Sequence, residues 1–250
     1  MSGVAVVTGA GGPSGIGFAA ARRLRACGMD LVITSTTERI AERAAALGPE
    51  VVHVVADLTD RDAAEGIVTL AVERFGRIDV LVNNAGMTSV SDPDSAASVT
   101  TVTDEQWRTS IARNLDTVLF MTRAAAPHMK RAGYGRIVTV SSVSGPVMAF
   151  SDDVAYHAAK AGLAGLTRSA ALDLAGYGVT VNAVAPGWIG TGTSPVHELE
   201  AGGATPIGRS GTADEVAAVI EFLASPAASY LTGQVIVVDG GNSIQEVRGG

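Results

Sequence analysis

The stretch V-A-V-V-T-G-A-G-G-P-S-G-I-G, residues 4–17, decides the fold. Four apolar residues run into a threonine and a glycine-rich turn, and the pattern after Gly17 is helical. A strand feeding a helix through glycines is the arrangement a pyrophosphate needs. Glycines let the backbone come close to the phosphates, and the helix start offers free N–H groups and the positive end of its dipole. The same residues also describe an ordinary glycine-rich turn, because motifs of this kind recur without function. The spacing sharpens the question, since five residues separate Gly9 from Gly15-Ile16-Gly17.

Beyond this stretch, short β-rich runs alternate with helical patterns to the end of the chain. Strands are expected at Val4–Thr8, Leu31–Ser35, Val51–Ala56, Val80–Asn83, Arg136–Ser141, Val179–Ala185 and Val235–Val238. Most are continuous apolar runs, as strands covered on both faces require. Helices are expected at Ile16–Cys27, Glu38–Leu47, Arg61–Phe75, Asp104–Arg131, Val154–Tyr177 and Ala213–Leu223, with Pro127 bending the fourth. This βαβ repetition implies an α/β fold: one doubly wound Rossmann domain over residues 1–250, a parallel seven-stranded sheet with helices on both faces. The dinucleotide-binding part would cover about residues 1–140. Two loop-like stretches, Thr88–Thr103 and Gly187–Gly211, follow carboxyl ends of expected strands, where open α/β sheets bind ligands; the second would serve as a substrate lid.

Hydrophobic residues make up 47% of the 250, enough for a large core, and a net charge of −7 without a basic stripe argues against a nucleic-acid surface. No apolar run approaches the ~18 residues of a membrane span. The first strand begins at Val4, which leaves no room for a signal peptide. Cys27 stands alone, so no disulfide framework is expected and a reducing cytoplasm is the expected compartment. Only Lys130 and Lys160 are lysines; arginine supplies nearly all other basic side chains.

The end of the second strand should meet the adenosine ribose of a dinucleotide. An acid there would accept from a 2′-hydroxyl and repel a 2′-phosphate. Here Ser35 stands where the acid is expected, followed by Thr36, Thr37, Glu38 and Arg39. The hydroxyls and Arg39 suit a phosphate, which favours NADP(H), with NAD(H) as the alternative because Glu38 is acidic. Thr36 or Thr37 could equally cap the helix that follows.

Y-H-A-A-K, residues 156–160, opens a long helical pattern and puts Tyr156 and Lys160 on one face. A phenol with a pKa near ~10 exchanges protons poorly at neutral pH, and a neighbouring ammonium lowers that barrier. A surface pair of no consequence is the bland alternative. In a chain that otherwise uses arginine, a lysine at this position argues for a compact ammonium that arginine cannot imitate.

Together these residues resemble the classical short-chain dehydrogenase/reductase family over essentially the full length. The resemblance is carried by T-G-…-G-I-G at 8–17, D-L at 57–58, N-N-A-G at 83–86, Asn114 in R-N-L-D, Ser142 in V-S-S-V-S-G, Y-x-x-x-K at 156–160, P-G-W-I-G-T at 186–191 and Y-L-T-G-Q-V-I-V-V-D-G-G at 230–241. It implies that Tyr156 exchanges the proton with a carbonyl substrate and that Lys160 tunes it and holds the nicotinamide ribose. Ser142 would polarise the substrate oxygen, with Ser141 and Ser144 as neighbouring candidates, and Asn114 would anchor a water relay to Lys160. Gly9, Gly15, Ile16 and Gly17 would cradle the pyrophosphate, with Ser35 and Thr36 at the ribose. Asp57 and Leu58 would flank the adenine, Asn84 and Gly86 would line the groove, and Pro186, Gly187, Ile189 and Thr191 would meet the nicotinamide end.

Three departures from the family pattern stand out. The glycine loop is two residues longer than T-G-x-x-x-G-x-G, Ser14 replaces a basic residue that many NADP-preferring relatives carry, and Ser142 lies one residue further from Tyr156 than the pattern expects.

Other chemistries find little support. His53, His128, His157 and His197 lack metal-ligand spacing, so no metal site is expected, and His157 reads as an exposed helix residue. No G-x-S-x-G elbow is present. The lid carries His197, Glu198 and Glu200 but no basic residue before Arg209. The overall pattern is similar to 3-oxoacyl-[acyl-carrier-protein] reductases, whose relatives include small-ketone reductases and sugar or polyol dehydrogenases. The expected activity is hydride transfer between a ketone and a secondary alcohol. A dinucleotide-sensing regulator without turnover is the alternative from another class, and it should lack part of the Asn114, Ser142, Tyr156, Lys160 set. Family resemblance also implies a homotetramer, formed through the helices of Asn114 and Tyr156 and the C-terminal strand.

Overall fold

The computed structural model describes residues 3–86, 97–191 and 196–246, with backbone only for 196–199. The chain runs β1 (Val4–Val7), α1 (Ile16–Ala26), β2 (Asp30–Ser35), α2 (Arg39–Leu47), β3 (Val52–Val55), α3 (Arg61–Phe75), β4 (Val80–Asn83), α4 (Asp104–Ile111), a π turn (Ala112–Asp116), α5 (Thr117–Ala132), β5 (Gly135–Val140), α6 (Val154–Ala175), β6 (Val179–Pro186), β7 (Ile189–Gly190), α7 (Val196–Gly203), β8 (Gly211–Thr212), α8 (Ala213–Ala224) and β9 (Val235–Val238). Seven strands form one sheet in the order β3-β2-β1-β4-β5-β6-β9, every pair parallel.

Both faces of the sheet are covered, and the strands show it residue by residue. In β1, Ala5 and Val7 join a cluster with Leu24, Ile40, Val216 and Ile220 from α1, α2 and α8. Val6, pointing the other way, packs with Ile67, Met121 and Leu174 from α3, α5 and α6. Side chains that alternate between two apolar layers explain why the central strands read as unbroken apolar runs. The edge strands are the exception: in β3, Val52 and Val54 are half-buried while His53 and Val55 are exposed, and in β9 Val237 is exposed. The order of strand addition reverses between β1 and β4, so the carboxyl ends of these parallel neighbours open the crevice where such sheets bind ligands.

Several helices end where their residues dictate. Asp60 caps α3 by accepting the Asp62 N–H, and left-handed Gly76 closes it. Thr103 with Gln106, and Thr212 with Glu215, form reciprocal caps on α4 and α8.

Three expectations are corrected. The helix expected as a unit over 104–131 is interrupted by the π turn at Ala112–Asp116, whereas Pro127 sits inside α5. Neither Thr36 nor Thr37 caps α2; Glu38 takes that position without a side-chain cap bond, and the Thr37 hydroxyl accepts from Arg39 Nε instead. The stretch 187–211 contains the short strands β7 and β8, which pair, and the helix α7. Of the expected loop at 88–103, residues 88–96 lie outside the described residues, as do the side chains of His197 and Glu198.

Candidate active site

The glycine loop leaves β1 at Thr8, whose hydroxyl organises the crevice. Thr8 Oγ1 accepts the N–H groups of Asn84 and Ala85 at 2.9 Å each and donates to the Val82 carbonyl, tying the start of the loop to the end of β4. Asn84 completes the tie: its amide donates to the Thr8 and Gly9 carbonyls at 3.1 and 2.9 Å. Asn84 thus stands at the crevice with its side chain spent on the glycine loop. Both amide protons hold the loop.

That closeness is why glycines stand here. Gly9 has φ +67°, and a β-carbon on it would lie 2.8 Å from Ala85 Cα. A β-carbon on Gly17 would collide with Asn84 Nδ2 and the Gly9 carbonyl. Gly15 begins α1 with neither a side-chain cap nor an acid in the first turn. The N–H groups at the start of a helix lack partners within it, and here those of Ile16 and Gly17 open beside a backbone stripped of side chains. These residues fit a dinucleotide pyrophosphate, as a cradle that β-carbons would fill.

The two extra residues of the loop have a definite place. Ala10 N–H continues the β1–β2 pairing by donating to the Thr34 carbonyl at 2.8 Å. Gly11 then lies against Ser35, where a β-carbon would stand 2.8 Å from both Ser35 Cβ and Oγ. Gly12, Pro13 and Ser14 form the exposed bulge, closed by Gly15 N–H on the Gly12 carbonyl. The bulge thus sits on the ribose side of the crevice, next to Ser35. That hydroxyl donates to the Thr37 carbonyl and accepts its N–H, while Thr36 and Arg39 are exposed and Arg39 Nε reaches Thr37 Oγ1 at 3.3 Å.

At the next turn, Asp57 is exposed and its carboxylate accepts from Thr59 N–H and Oγ1. Leu58 is buried in the core beside Val6 and Val32, which leaves its backbone as the part that an adenine could meet.

The proton-handling residues come from α6, the π turn and the segment after β5. Lys160, one turn into α6, is fully buried; its ammonium donates to the Val140 carbonyl at 3.2 Å and lies 5.6 Å from the centre of the Tyr156 ring. Burial in this apolar setting pulls its pKa from 10.5 down to about 8. Asn114 stands within the π turn, its amide donating to the Ser110 carbonyl at 3.1 Å. Such turns concentrate at functional sites because they re-aim one residue. Gly86 passes between: the position of a β-carbon there is 3.1 Å from Asn114 Oδ1 and 3.5 Å from Lys160 Nζ.

Of the three serines, Ser141 is spent on the fold, donating to the Lys160 carbonyl at 3.2 Å, whereas Ser142 Oγ accepts the Ser144 N–H and keeps its proton for another acceptor. Pro186 ends β6, Gly187 donates to Val238 and has no room for a β-carbon beside Asp239, and Ile189 pairs with Gly211, which leads the chain past the crevice to Thr191.

Two residues with site-building roles escaped the sequence reading. Thr8 was quoted only as part of the motif, though a threonine closing an apolar strand before glycine is a recognisable signal. His157 is the other. It is half-buried rather than exposed, because both ring nitrogens are engaged by the preceding loop. Among the described residues, no three His, Cys, Asp or Glu side chains are grouped to hold a metal ion.

The profile of the family described as Enoyl-(Acyl carrier protein) reductase matches residues 9–243. The chain is 42% identical to a cis-4-hydroxycyclohexanecarboxylate dehydrogenase from Sinomonas cyclohexanicum, over 95% of each chain. It is 37% identical to the 3-oxoacyl-[acyl-carrier-protein] reductase FabG of Escherichia coli, over 95% of this chain and 96% of the relative. The crystal structure of levodione reductase superposes with a TM-score of 0.88 at 33% identity, covering 97% of this chain and 98% of that one.

Proposed function

The chain belongs to the short-chain dehydrogenase/reductase family of oxidoreductases, and on that premise we propose that it is an NADP(H)-preferring ketoreductase in which Tyr156 exchanges the proton at the carbonyl oxygen. The family's reaction interconverts a ketone and a secondary alcohol and uses a nicotinamide dinucleotide. The observation that carries the residue assignment is Lys160, a buried ammonium under the Tyr156 ring in a chain with one other lysine.

The cofactor, when bound, supplies or accepts the hydride. Everything else falls to the chain. Thr8 and Asn84 hold Gly9, Gly15, Ile16 and Gly17 in the conformation that admits the pyrophosphate. Ser142 donates its hydroxyl proton in a hydrogen bond to the substrate oxygen and fixes it near Tyr156. In the direction of reduction, Tyr156 gives its phenolic proton to that oxygen; in oxidation it takes the proton back. The Lys160 ammonium lowers the cost of the phenolate, and its depressed pKa lets it exchange protons with solvent near neutral pH. Asn114 and Lys160, which face the same side of Gly86, form the relay that returns the proton.

Preference for NADP(H) is supported by Ser35 in place of an acid, by the exposed hydroxyls of Thr36 and Thr37 and by Arg39, with Glu38 and the absence of a basic residue at Ser14 against it. The E. coli relative's activity makes a 3-oxoacyl thioester the leading substrate by resemblance. A second reading, a small or alicyclic ketone, is favoured by Arg209. It is the basic residue nearest the lid, and it is committed to Glu215 through two contacts of 2.9 and 2.7 Å, which leaves it poorly placed for a phosphopantetheine phosphate. Residues 1–250 would act as one domain in the cytoplasm. Assembly into a homotetramer is supported by exposed Trp107 and Leu119 on α4 and α5, Leu172 on α6 and Val237 on the edge strand β9. Among the described residues no helix is long and apolar enough to cross a membrane.

The test is steady-state kinetics with NADPH and NADH against 3-oxoacyl thioesters, β-keto esters and alicyclic ketones, using wild type and Tyr156→Phe. Turnover in the wild type, and its loss in the variant with cofactor affinity retained, is the expected pattern. Full activity in Tyr156→Phe would refute the assignment, and tight cofactor binding without turnover on any substrate would favour the sensing role.

A further inference from the structure

We propose that His157, the residue after Tyr156, is a positioning residue: it latches the segment 145–153 and so fixes the wall of the substrate opening between Ser142 and Tyr156. The proposal rests on the assignment of Tyr156 and Ser142 above.

Both ring nitrogens of His157 are used, and only one tautomer satisfies them. Nδ1 lies 2.6 Å from the Asp153 carbonyl, an acceptor, so Nδ1 carries the proton. Nε2 lies 3.1 Å from the Phe150 amide nitrogen, a donor, so Nε2 presents its lone pair. A neutral imidazole therefore bridges two points of the preceding loop. The ring also meets the Phe150 ring edge-on at 4.5 Å and the Tyr156 ring edge-on at 6.2 Å, so the latch touches the loop on one side and the tyrosine on the other.

The loop is built to be held at this point. Gly145, at φ +102°, passes so close to α6 that a β-carbon would collide with the His157 carbonyl and lie 3.0 Å from the Ala161 nitrogen. Its own bonds run from Gly145 N–H to the Met148 carbonyl and from the Val147 and Met148 N–H groups to the Val143 carbonyl. The Ser144 N–H closes on Ser142 Oγ. Between Met148 and the start of α6, Phe150 is fastened by the His157 ring, and the Asp153 carbonyl is held by that ring together with the His157 backbone N–H of the first helical turn. Asp152 adopts φ +67°, unusual for a residue with a side chain, so the fastening holds a strained turn. The extra residue between Ser142 and Tyr156 gives a physical reason for such a fastening, because a longer loop needs an additional anchor to keep Ser142 and Tyr156 in register. The segment carries exposed Val147 and Phe150, apolar surface suited to the hydrocarbon body of a ketone rather than to its reacting carbonyl.

The experiment compares His157→Phe, which keeps an aromatic ring but loses both hydrogen bonds, with His157→Gln, whose Oε1 can still accept the Phe150 N–H. Two readouts are taken on the full chain: amide exchange over 145–153, and KM against kcat for the best ketone, with the NADPH dissociation constant measured separately. In His157→Phe, exchange at Phe150 should accelerate and KM should rise about tenfold, with kcat and NADPH affinity within about threefold of wild type. His157→Gln should recover most of both losses. Unchanged exchange and KM in His157→Phe overturns the proposal, and so does a loss that glutamine fails to recover, which would make the ring's packing the cause. Should the wild type reduce no ketone, the reading of Tyr156 fails while amide exchange at Phe150 still decides the latch.

Discussion

Lys160 should be a stability liability, and replacing it with methionine measures how large. The ammonium is fully buried, and its depressed pKa reports the cost of desolvating it. The drop from 10.5 to about 8, at about 1.36 kcal/mol per pH unit, amounts to about 3.4 kcal/mol at neutral pH. Methionine has nearly the same length and no charge. It gives up one hydrogen bond and leaves the Val140 carbonyl without that donor, a loss of about 1 kcal/mol. Lys160→Met should therefore be more stable than wild type by about 2 kcal/mol at pH 7, while turnover falls by about 10² to 10⁴.

The gain has a pH signature that a packing effect lacks. The unfolded lysine keeps its proton up to 10.5 and the folded one releases it near 8. Between those values the unfolded chain binds more protons, and wild-type stability rises with pH. At pH 9.5 the residual cost of the lysine is about 1.4 kcal/mol, so the advantage of methionine should nearly vanish. Urea denaturation of the cofactor-free proteins at pH 7 and 9.5, at one fixed protomer concentration, reads both numbers. A variant less stable than wild type at pH 7, or a gain that does not shrink at pH 9.5, would refute the reasoning and mean that the lysine charge is well compensated where it sits.

The glycine loop supports two further predictions. Gly11→Ala drives a methyl group against the Ser35 side chain, whereas a β-carbon on Gly12 meets nothing closer than 3.8 Å; titration of cofactor fluorescence should show NADPH affinity falling about tenfold in the first variant and staying near wild type in the second. Ser35→Asp restores the acid that accepts a ribose hydroxyl and repels a phosphate, so the ratio of NADPH to NADH affinity should drop by at least about tenfold. An unchanged ratio would show that the end of β2 does not choose the cofactor. A third prediction concerns the loop tie: Thr8→Val removes the acceptor of two N–H groups, which should lower the melting temperature by several degrees and weaken both dinucleotides equally.

The elements most legible in the sequence were those whose ends are chemically marked. β4 and α3 lie where expected because Asp60 and Gly76 delimit the helix and an unbroken apolar run makes the strand. The π turn at Ala112–Asp116 left no comparable trace. One extra residue in a helical turn changes hydrogen-bond partners without changing composition. The lid helix α7 was read as loop because its short G-rich sequence shows no clear helical period. Residue identities at the site were legible for a similar reason, since a motif names the residue. The direction of its side chain depends on neighbours distant in sequence. Asn84 was expected to line the groove, and its motif did not tell that its amide would bond the Thr8 and Gly9 carbonyls. His157 was expected in solvent and instead reaches back over the loop.

Lys160 shows how far composition can go by itself. A chain with two lysines among its eighteen basic residues has little general use for an ammonium, so each one present asks for a local cause. Lys130 has one at the surface, 4.0 Å above the Tyr177 ring, where an arginine would stack as well. Lys160 has a cause that arginine cannot meet. A guanidinium is too broad for the gap below Tyr156, where Nζ already lies within 3.5 Å of where a Gly86 β-carbon would be, and its pKa stays far above neutrality wherever it is put. The depressed ammonium is therefore both the source of the instability measured by Lys160→Met and the property that makes it useful to Tyr156.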